Sequence, residues 1–238
     1  MTRKILLLTL SLLFLSSPAW SYNWCTDDAA NKGCYLMNVD EDPITDSSGE
    51  GNTLTNTGVT YTTGKYGKGA LKDADPDKLQ INSDFGLSTA SDFSINFWWH
   101  PTSVGGSSDW RIAILEIDNA RYYRIIQSSS TTITFDNKDD STSYNYGANL
   151  ETDKFHMITC IKSGTAVHLY FDGVLRDTGS YATSSTGSTV FSVFTQYNQT
   201  NATRGVIDDL AIFSKVLSQS EITNLYTDAG GAFLMNFI

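Results

Sequence analysis

Phe93-Ser94-Ile95-Asn96-Phe97-Trp98-Trp99-His100-Pro101 is the stretch on which the fold turns. Side chains alternate across an extended chain, so Phe93, Ile95, Phe97 and Trp99 share one face. Ser94, Asn96 and Trp98 share the other. That is the period of a β-strand with one wholly apolar side. Working outward, the same signal recurs in short β-branched and aromatic runs: Leu79–Ile81, Arg111–Ile117, Tyr122–Ile126, Thr131–Phe135, His156–Ile161, Ala166–Phe171, Val190–Phe194 and Val206–Phe213. Gly, Asn, Asp and Ser separate them, and no helix-length segment intervenes. Strands in unbroken succession predict an all-β antiparallel sandwich or barrel rather than alternating strands and helices. Asp172-Gly173 between two runs predicts a tight type I′ hairpin, whose two central residues both need positive φ. The period changes at Ser218-Gln219-Ser220-Glu221, a capping box. Ile222, Leu225 and Tyr226 then make one apolar helical face, so one short C-terminal helix is expected, with Leu217 and Ile222 as its hydrophobic staple.

The chain has 238 residues, with 40% hydrophobic and 12% aromatic content. That is enough apolar material for a large core. Charged residues are sparse at 18%, and 27 Ser and 28 Thr supply much of the remaining polarity. The 26 acids outnumber 16 Lys and Arg, giving a net charge of −10. A nucleic-acid partner needs a basic footprint, so none is expected. Cations, neutral sugars and basic partners remain compatible.

Residues 1–21 read as a signal peptide. Arg3 and Lys4 precede an apolar run from Ile5 to Leu15, and Ala19 and Ser21 are small residues before Tyr22. The run is far shorter than the roughly 20 residues a spanning helix needs. A secreted, periplasmic or extracellular protein with no membrane insertion after leader removal is therefore expected. Loss of Arg3 and Lys4 takes the net charge from −10 to −12. Export permits disulfides, and Cys25 and Cys34, close together in the 22–34 segment, are expected to pair. Cys160, within Met157–Ile161, is expected to be a buried free thiol. The apolar tail 228–238 has no assigned role.

Four blocks in a shared order carry a resemblance. Tyr35–Asp40, followed by Asp46-Ser47-Ser48-Gly49-Glu50-Gly51-Asn52, is similar to an opening strand and D-S-S-G-N-G-N loop. Gly64-Lys65-Tyr66-Gly67-Lys68-Gly69-Ala70-Leu71 resembles G-x-x-G-x-A-L. Phe93–Pro101 resembles f-T-i-s-x-W-v-x-P. The fourth runs from Phe155-His156 through Val167–Gly173 and Gly205-Val206-Ile207-Asp208-Asp209-Leu210 to Leu217–Tyr226; it resembles w-h-h-v, l-Y-v-D-G and G-x-I-D-D-v with a closing helix. Over 35–227 the chain thus resembles the laminin-G-like branch of the concanavalin-A-like lectin/glucanase superfamily. The resemblance implies one jelly-roll domain. It also implies a structural calcium between the first-strand region and a late strand: Asp40 with Asp208 or Asp209, and Asp46 or Asn52 as further oxygens. The acidic N-terminal cluster does not fit an EF-hand, which would need Glu at position 51 or 57. Two adjacent acids in Val206–Leu210 are unusual for a buried strand, and one should need a partner.

Catalysis is not expected. Glu116-Ile117-Asp118 resembles the start of the E-x-D-x-x-E strand of laminarinase-type glucanases, but Arg121 stands where the second Glu belongs. A glycosidase needs that paired carboxylate. No G-x-S-x-G elbow accompanies His100, His156 or His168. Carbohydrate binding uses aromatic plates with amide and carboxylate groups. The candidates are the loop residues Trp110, Tyr144, Asn145 and Tyr146, with Asp139 and Asp140 nearby, and Trp98 with His100 on one sheet face. Packing in the core is the competing reading of Trp98. Asn198 and Asn201 head glycosylation sequons. The expected function is a secreted non-catalytic binding module for an extracellular carbohydrate, with an adhesion module for a cell-surface or extracellular protein as the alternative, and a glycoside hydrolase or lyase of this fold as a further one. No catalytic domain attached to the sandwich is expected within these 238 residues.

Overall fold

The computed structural model describes residues 23–74, 76–87, 92–102, 110–118, 121–129, 132–137, 142–147, 150–151, 154–180, 190–195 and 204–227. Residues 1–21, expected to be a leader, residues 103–109, Asp139 and Asp140, both sequons and residues 228–238 lie outside them.

Two antiparallel sheets carry the fold. The larger is built from β1 (Asn31–Tyr35), β3 (Thr60–Thr63), β4 (Lys68–Lys72), β6 (Phe93–Pro101), β11 (His156–Ser163), β12 (Ala166–Phe171), β13 (Val174–Ser180) and β15 (Gly205–Phe213). Its order is β13-β12-β11-β6-β15-β4-β3, with β1 also paired to β15. The other contains β2 (Thr55–Thr57), β5 (Lys78–Ile81), β7 (Trp110–Asp118), β8 (Arg121–Ser129), β9 (Thr132–Asn137), β10 (Thr142–Gly147) and β14 (Val190–Val193), ordered β10-β9-β8-β7-β14-β5-β2.

Alternation on β6 organises the interior. Phe93, Ile95, Phe97 and Trp99 face the inter-sheet core with Ile158, Cys160, Leu169, Ile207, Phe135 and Phe191. Trp99 is wholly buried, and its indole Nε1 donates to Gln127 Oε1 on β8 at 3.2 Å, so the one polar atom of the ring is satisfied across the sheets. Cys160 is a buried free thiol.

On the outer side of the larger sheet, Trp98, Met157, Ile161, Tyr170 and Phe213 form a second apolar cluster. The helix α1 (Gln219–Thr227) covers it with Ile222 and Leu225. The capping box forms as the sequence predicts: Glu221 N donates to Ser218 Oγ, and Ser218 N donates to Glu221 Oε2. Leu217 joins Ile222 in the same cluster. The β12–β13 hairpin also follows its turn chemistry, with φ of 51° at Asp172 and 75° at Gly173.

The structure corrects three sequence expectations. The opening strand is Asn31–Tyr35, not Tyr35–Asp40. Met37 has φ 55°, a left-handed conformation that breaks the strand just after Tyr35. The sheet thus begins ahead of the boundary expected at residue 35, and it includes Cys34. Second, Trp110 and Tyr144–Tyr146 belong to β7 and β10 and are not loop residues. Third, the adjacent acids of β15 do not sit in a regular strand. Asp208 pairs with Trp98 and Ala211 with Asn96, so one extra residue bulges and Asp209 takes φ 46°. A bulge frees Asp209 from the alternation that would aim it at the inter-sheet core.

The expected disulfide between Cys25 and Cys34 is present, with Cα atoms 5.5 Å apart. It fastens the first turn to β1, which pairs with β15 from Asn31↔Phe213 to Tyr35↔Leu210. The N-terminal region and the last strand are therefore neighbours.

Candidate functional site

A cavity of about 400 Å³ opens beside Trp98 on the outer side of the larger sheet. Gly64, Lys65, Lys154, Phe155, Asp172 and Tyr226 complete its lining. Distant elements supply them: the turn before β4, the central strand β6, the approach to β11, the hairpin turn and the last turn of α1. Tyr226 stacks on Trp98 with centroids 5.7 Å apart and planes 22° apart. Tyr66 meets the same indole edge-on at 6.0 Å. Lys65 Nζ lies 4.2 Å from the centre of the Trp98 ring. Trp98 is thus both a core residue and part of the cavity wall, and only 3% of it is exposed. Asp172 is held in place: its Oδ1 accepts the Met157 N–H at 2.9 Å, and Oδ2 lies 3.0 Å from His156 Nδ1.

The acid pair lies beneath this wall. Asp208 Oδ2 accepts the Tyr66 N–H at 2.9 Å, and Oδ1 accepts the Asp209 N–H at 2.9 Å. The approach depends on Gly64, where a Cβ would come within 2.5 Å of Asp208 Oδ2. Burial pushes the Asp208 carboxyl up to about 7, against the pull of the Tyr66, Asp209 and Lys65 amides. Asp209 is 2% exposed, and neither of its oxygens has a hydrogen-bond partner among the described residues. Burial, and then the neighbouring Asp208, hold its carboxyl well above the usual range. Burial also raises the Tyr66 phenol, with Asp209 adding to the shift, and that hydroxyl is buried and unpartnered too.

The other candidate calcium ligands are already engaged within the protein. Asp40 is bound to Lys68 Nζ at 2.7 Å through both carboxylate oxygens. Asp46 organises the loop after β1, accepting the N–H groups of Cys34, Ser48 and Asn52. Asn52 is engaged with Lys32 O and the Ser83 hydroxyl. Among the described residues, no three His, Cys, Asp or Glu side chains gather as a metal cluster. Asn38 was not singled out by the sequence, yet its Oδ1 is buried without a partner. A Cβ on Gly67, next to Tyr66, would come within 2.9 Å of it.

Of the carbohydrate candidates, Trp98 lines the cavity. Tyr144, Asn145 and Tyr146 are registered opposite Phe135, Thr134 and Ile133 on β9, and Trp110 opposite Gln127 on β8. The Glu116–Asp118 triplet ends β7, and Arg121 opens β8, so the glucanase pattern does not continue along one strand. His100 packs against Phe155 at 4.9 Å and His156 against Phe171 at 4.7 Å. The residues that sequence reasoning missed are Lys65, Lys154, Phe155, Asp172 and Tyr226. Four of them lay inside quoted motifs, but nothing local says that these motifs converge.

Antiparallel jelly rolls host binding modules and enzymes alike, so the fold by itself fixes the family and not the activity. A laminin-G model of the concanavalin A-like lectin/glucanases superfamily matches residues 73–223, and the chain belongs to that superfamily. Among solved structures it is similar to domain 4 of a GH43 extracellular arabinanase from Geobacillus stearothermophilus, in complex with arabinotriose. The identity is 19% and the TM-score 0.68, over 83% of this chain and 98% of that one. It is similar also to the botulinum neurotoxin serotype G binding domain, at 18% identity and TM-score 0.66, over 82% of this chain and 50% of that one. The binding domain of Paraclostridial Mosquitocidal Protein 1 gives 19% and 0.65, over 82% and 52%. The chain therefore spans about half the length of the two toxin binding domains. At these identities the likeness is one of fold. No curated protein matches the sequence.

Proposed function

We propose that this chain is an exported, non-catalytic binding module that recognises an extracellular carbohydrate. The observation that carries the reading is the cavity at Trp98. Its volume of about 400 Å³ lies in the range of small-ligand sites. Aromatic rings at Trp98, Phe155 and Tyr226 suit the C–H face of a sugar, and Lys65, Lys154 and Asp172 suit its hydroxyls. The arabinanase domain solved with arabinotriose shares the fold and supports the reading by analogy alone. Export is supported by the leader-like N-terminus and by the disulfide. Among the described residues, no helix is long and apolar enough to cross a membrane.

A glycan array with wild type, Tyr226→Ala, Trp110→Ala and Tyr144→Ala tests the proposal. Wild-type signal lost in Tyr226→Ala supports the cavity; loss confined to Trp110→Ala or Tyr144→Ala moves the site to β7 or β10. A silent array, together with capture of a defined surface protein, overturns the carbohydrate reading in favour of the adhesion reading. Hydrolysis of laminarin by the pure protein would overturn the non-catalytic one.

Calcium belongs to the same proposal, and the unpartnered oxygens among the described residues favour Asp209 and Asn38, with Asp208, over Asp40, Asp46 and Asn52, which are engaged elsewhere. The buried, unpartnered oxygens of Asp209 and Asn38 are the hard donors that calcium takes, and an unpaired buried carboxylate is costly without a cation. Asp209, Asn38 and Asp208 are the residues that would hold it. A bound calcium would neutralise the acid pair and tie the chain after β1 to β15.

A further inference from the structure

We infer that the Trp98 cavity selects saccharides bearing an anionic group, a uronate carboxylate or a sulfate, and that Lys65 is the residue that reads the charge. The inference rests on the carbohydrate reading and deepens it.

Lys65 Nζ lies over the faces of Trp98 at 4.2 Å and Tyr66 at 5.6 Å. Ring quadrupoles hold an ammonium in place. They leave its three N–H donors without a charged acceptor. Among the described residues, Lys65 has no carboxylate partner, whereas other cations are committed: Lys32 to Glu50, Lys68 to Asp40, Lys215 to Asp28 and Glu221. In a chain with 26 acids against 16 Lys and Arg, an ammonium kept from carboxylates and placed in a cavity wall is a specific arrangement.

The rest of the lining agrees. Lys154 brings a second ammonium, held in a half-exposed ion pair with Glu151. Asp172 is the one carboxylate in the wall, and Met157 N and His156 Nδ1 engage its two oxygens. The cavity thus offers positive donors beside stacked rings. A sugar carboxylate or sulfate would make the Lys65 contact an ion pair with a full negative charge on the acceptor, an attraction that a neutral hydroxyl does not supply.

The test is titration calorimetry of the purified full chain. An oligogalacturonate and a heparin-derived oligosaccharide form the anionic arms; a methyl-esterified oligogalacturonate and a desulfated, carboxyl-reduced heparin oligosaccharide are their neutral counterparts. The expected result is at least about tenfold tighter binding of one anionic arm than of its counterpart, a preference that shrinks as salt is raised. Lys65→Gln should abolish that preference with its melting temperature unchanged. A preference in the oligogalacturonate arm shows that a carboxylate suffices, and a preference confined to the heparin arm identifies sulfate as the group required. Equal binding of both members of each pair, unaffected by Lys65→Gln but lost in Tyr226→Ala, overturns this inference and leaves the carbohydrate reading standing. Binding of none of the four, with a silent glycan array, overturns both.

Discussion

Asp209 shows what a single buried carboxyl implies. Its folded pKa lies well above the usual value, and that of Asp208 is pushed up to about 7 from 3.8. A carboxyl that holds its proton more tightly in the folded state favours folding below its unfolded pKa. That advantage is lost as pH rises through the folded value. In chelator, the melting temperature should therefore fall as pH rises from 3.8 through 7 and beyond. The proposed calcium should oppose the fall, because it would bind the ionised form. Asp209→Asn should flatten the profile and erase the calcium response. Scanning fluorimetry across pH, with and without chelator, checks both; a profile already flat in chelator would contradict the account of the acid pair. At the same scale, Cys25→Ser should cost about 2–3 kcal/mol for so short a closed loop, read from denaturant midpoints. Not all residue-scale logic was legible in the sequence. Adjacent acids in a strand signalled something unusual, but only the bulge shows how both avoid the inter-sheet core.

Elements differ in how plainly the sequence announces them. β6 was readable because one face is wholly apolar. The Asp172-Gly173 hairpin was readable because its turn chemistry is local, and α1 because Ser218 and Glu221 form a complete cap. By contrast, β2 is Thr55-Asn56-Thr57, β3 is Thr60–Thr63 and β10 is Thr142–Gly147. These strands are polar and short, and their extended state comes from pairing with β5, β4 and β9, which no local pattern encodes. The cap gives an element-scale prediction. Ser218→Ala removes the side-chain acceptor for the Glu221 N–H and should cost about 1 kcal/mol. Because α1 carries Tyr226 onto Trp98, that variant should also weaken saccharide binding, in proportion to the helix lost by circular dichroism. Unchanged stability would contradict the assigned role of the cap. Gly205→Ala should be far more damaging than its one methyl suggests. The added Cβ would meet Trp99 at 2.3 Å and His100 O at 2.6 Å, where β15 crosses β6.

Across the whole molecule, the two faces of the larger sheet have separate tasks. The inner face joins the core with the second sheet, and the outer face supports α1 and the cavity. Trp98 could be read as a candidate because it sits on the strand face opposite Phe97 and Trp99. Its neighbours could not: Lys65, Lys154 and Tyr226 come from the turn before β4, the approach to β11 and the C-terminal helix, and only the jelly-roll topology unites them. The most direct test of the carbohydrate reading is calorimetric titration of wild type and Tyr226→Ala with the saccharide that gives the strongest array signal. The account predicts saturable binding by wild type and affinity at least about tenfold weaker in the variant, the loss expected when one aromatic contact of about 1.5 kcal/mol is removed. Equal affinity in a folded Tyr226→Ala protein would contradict it.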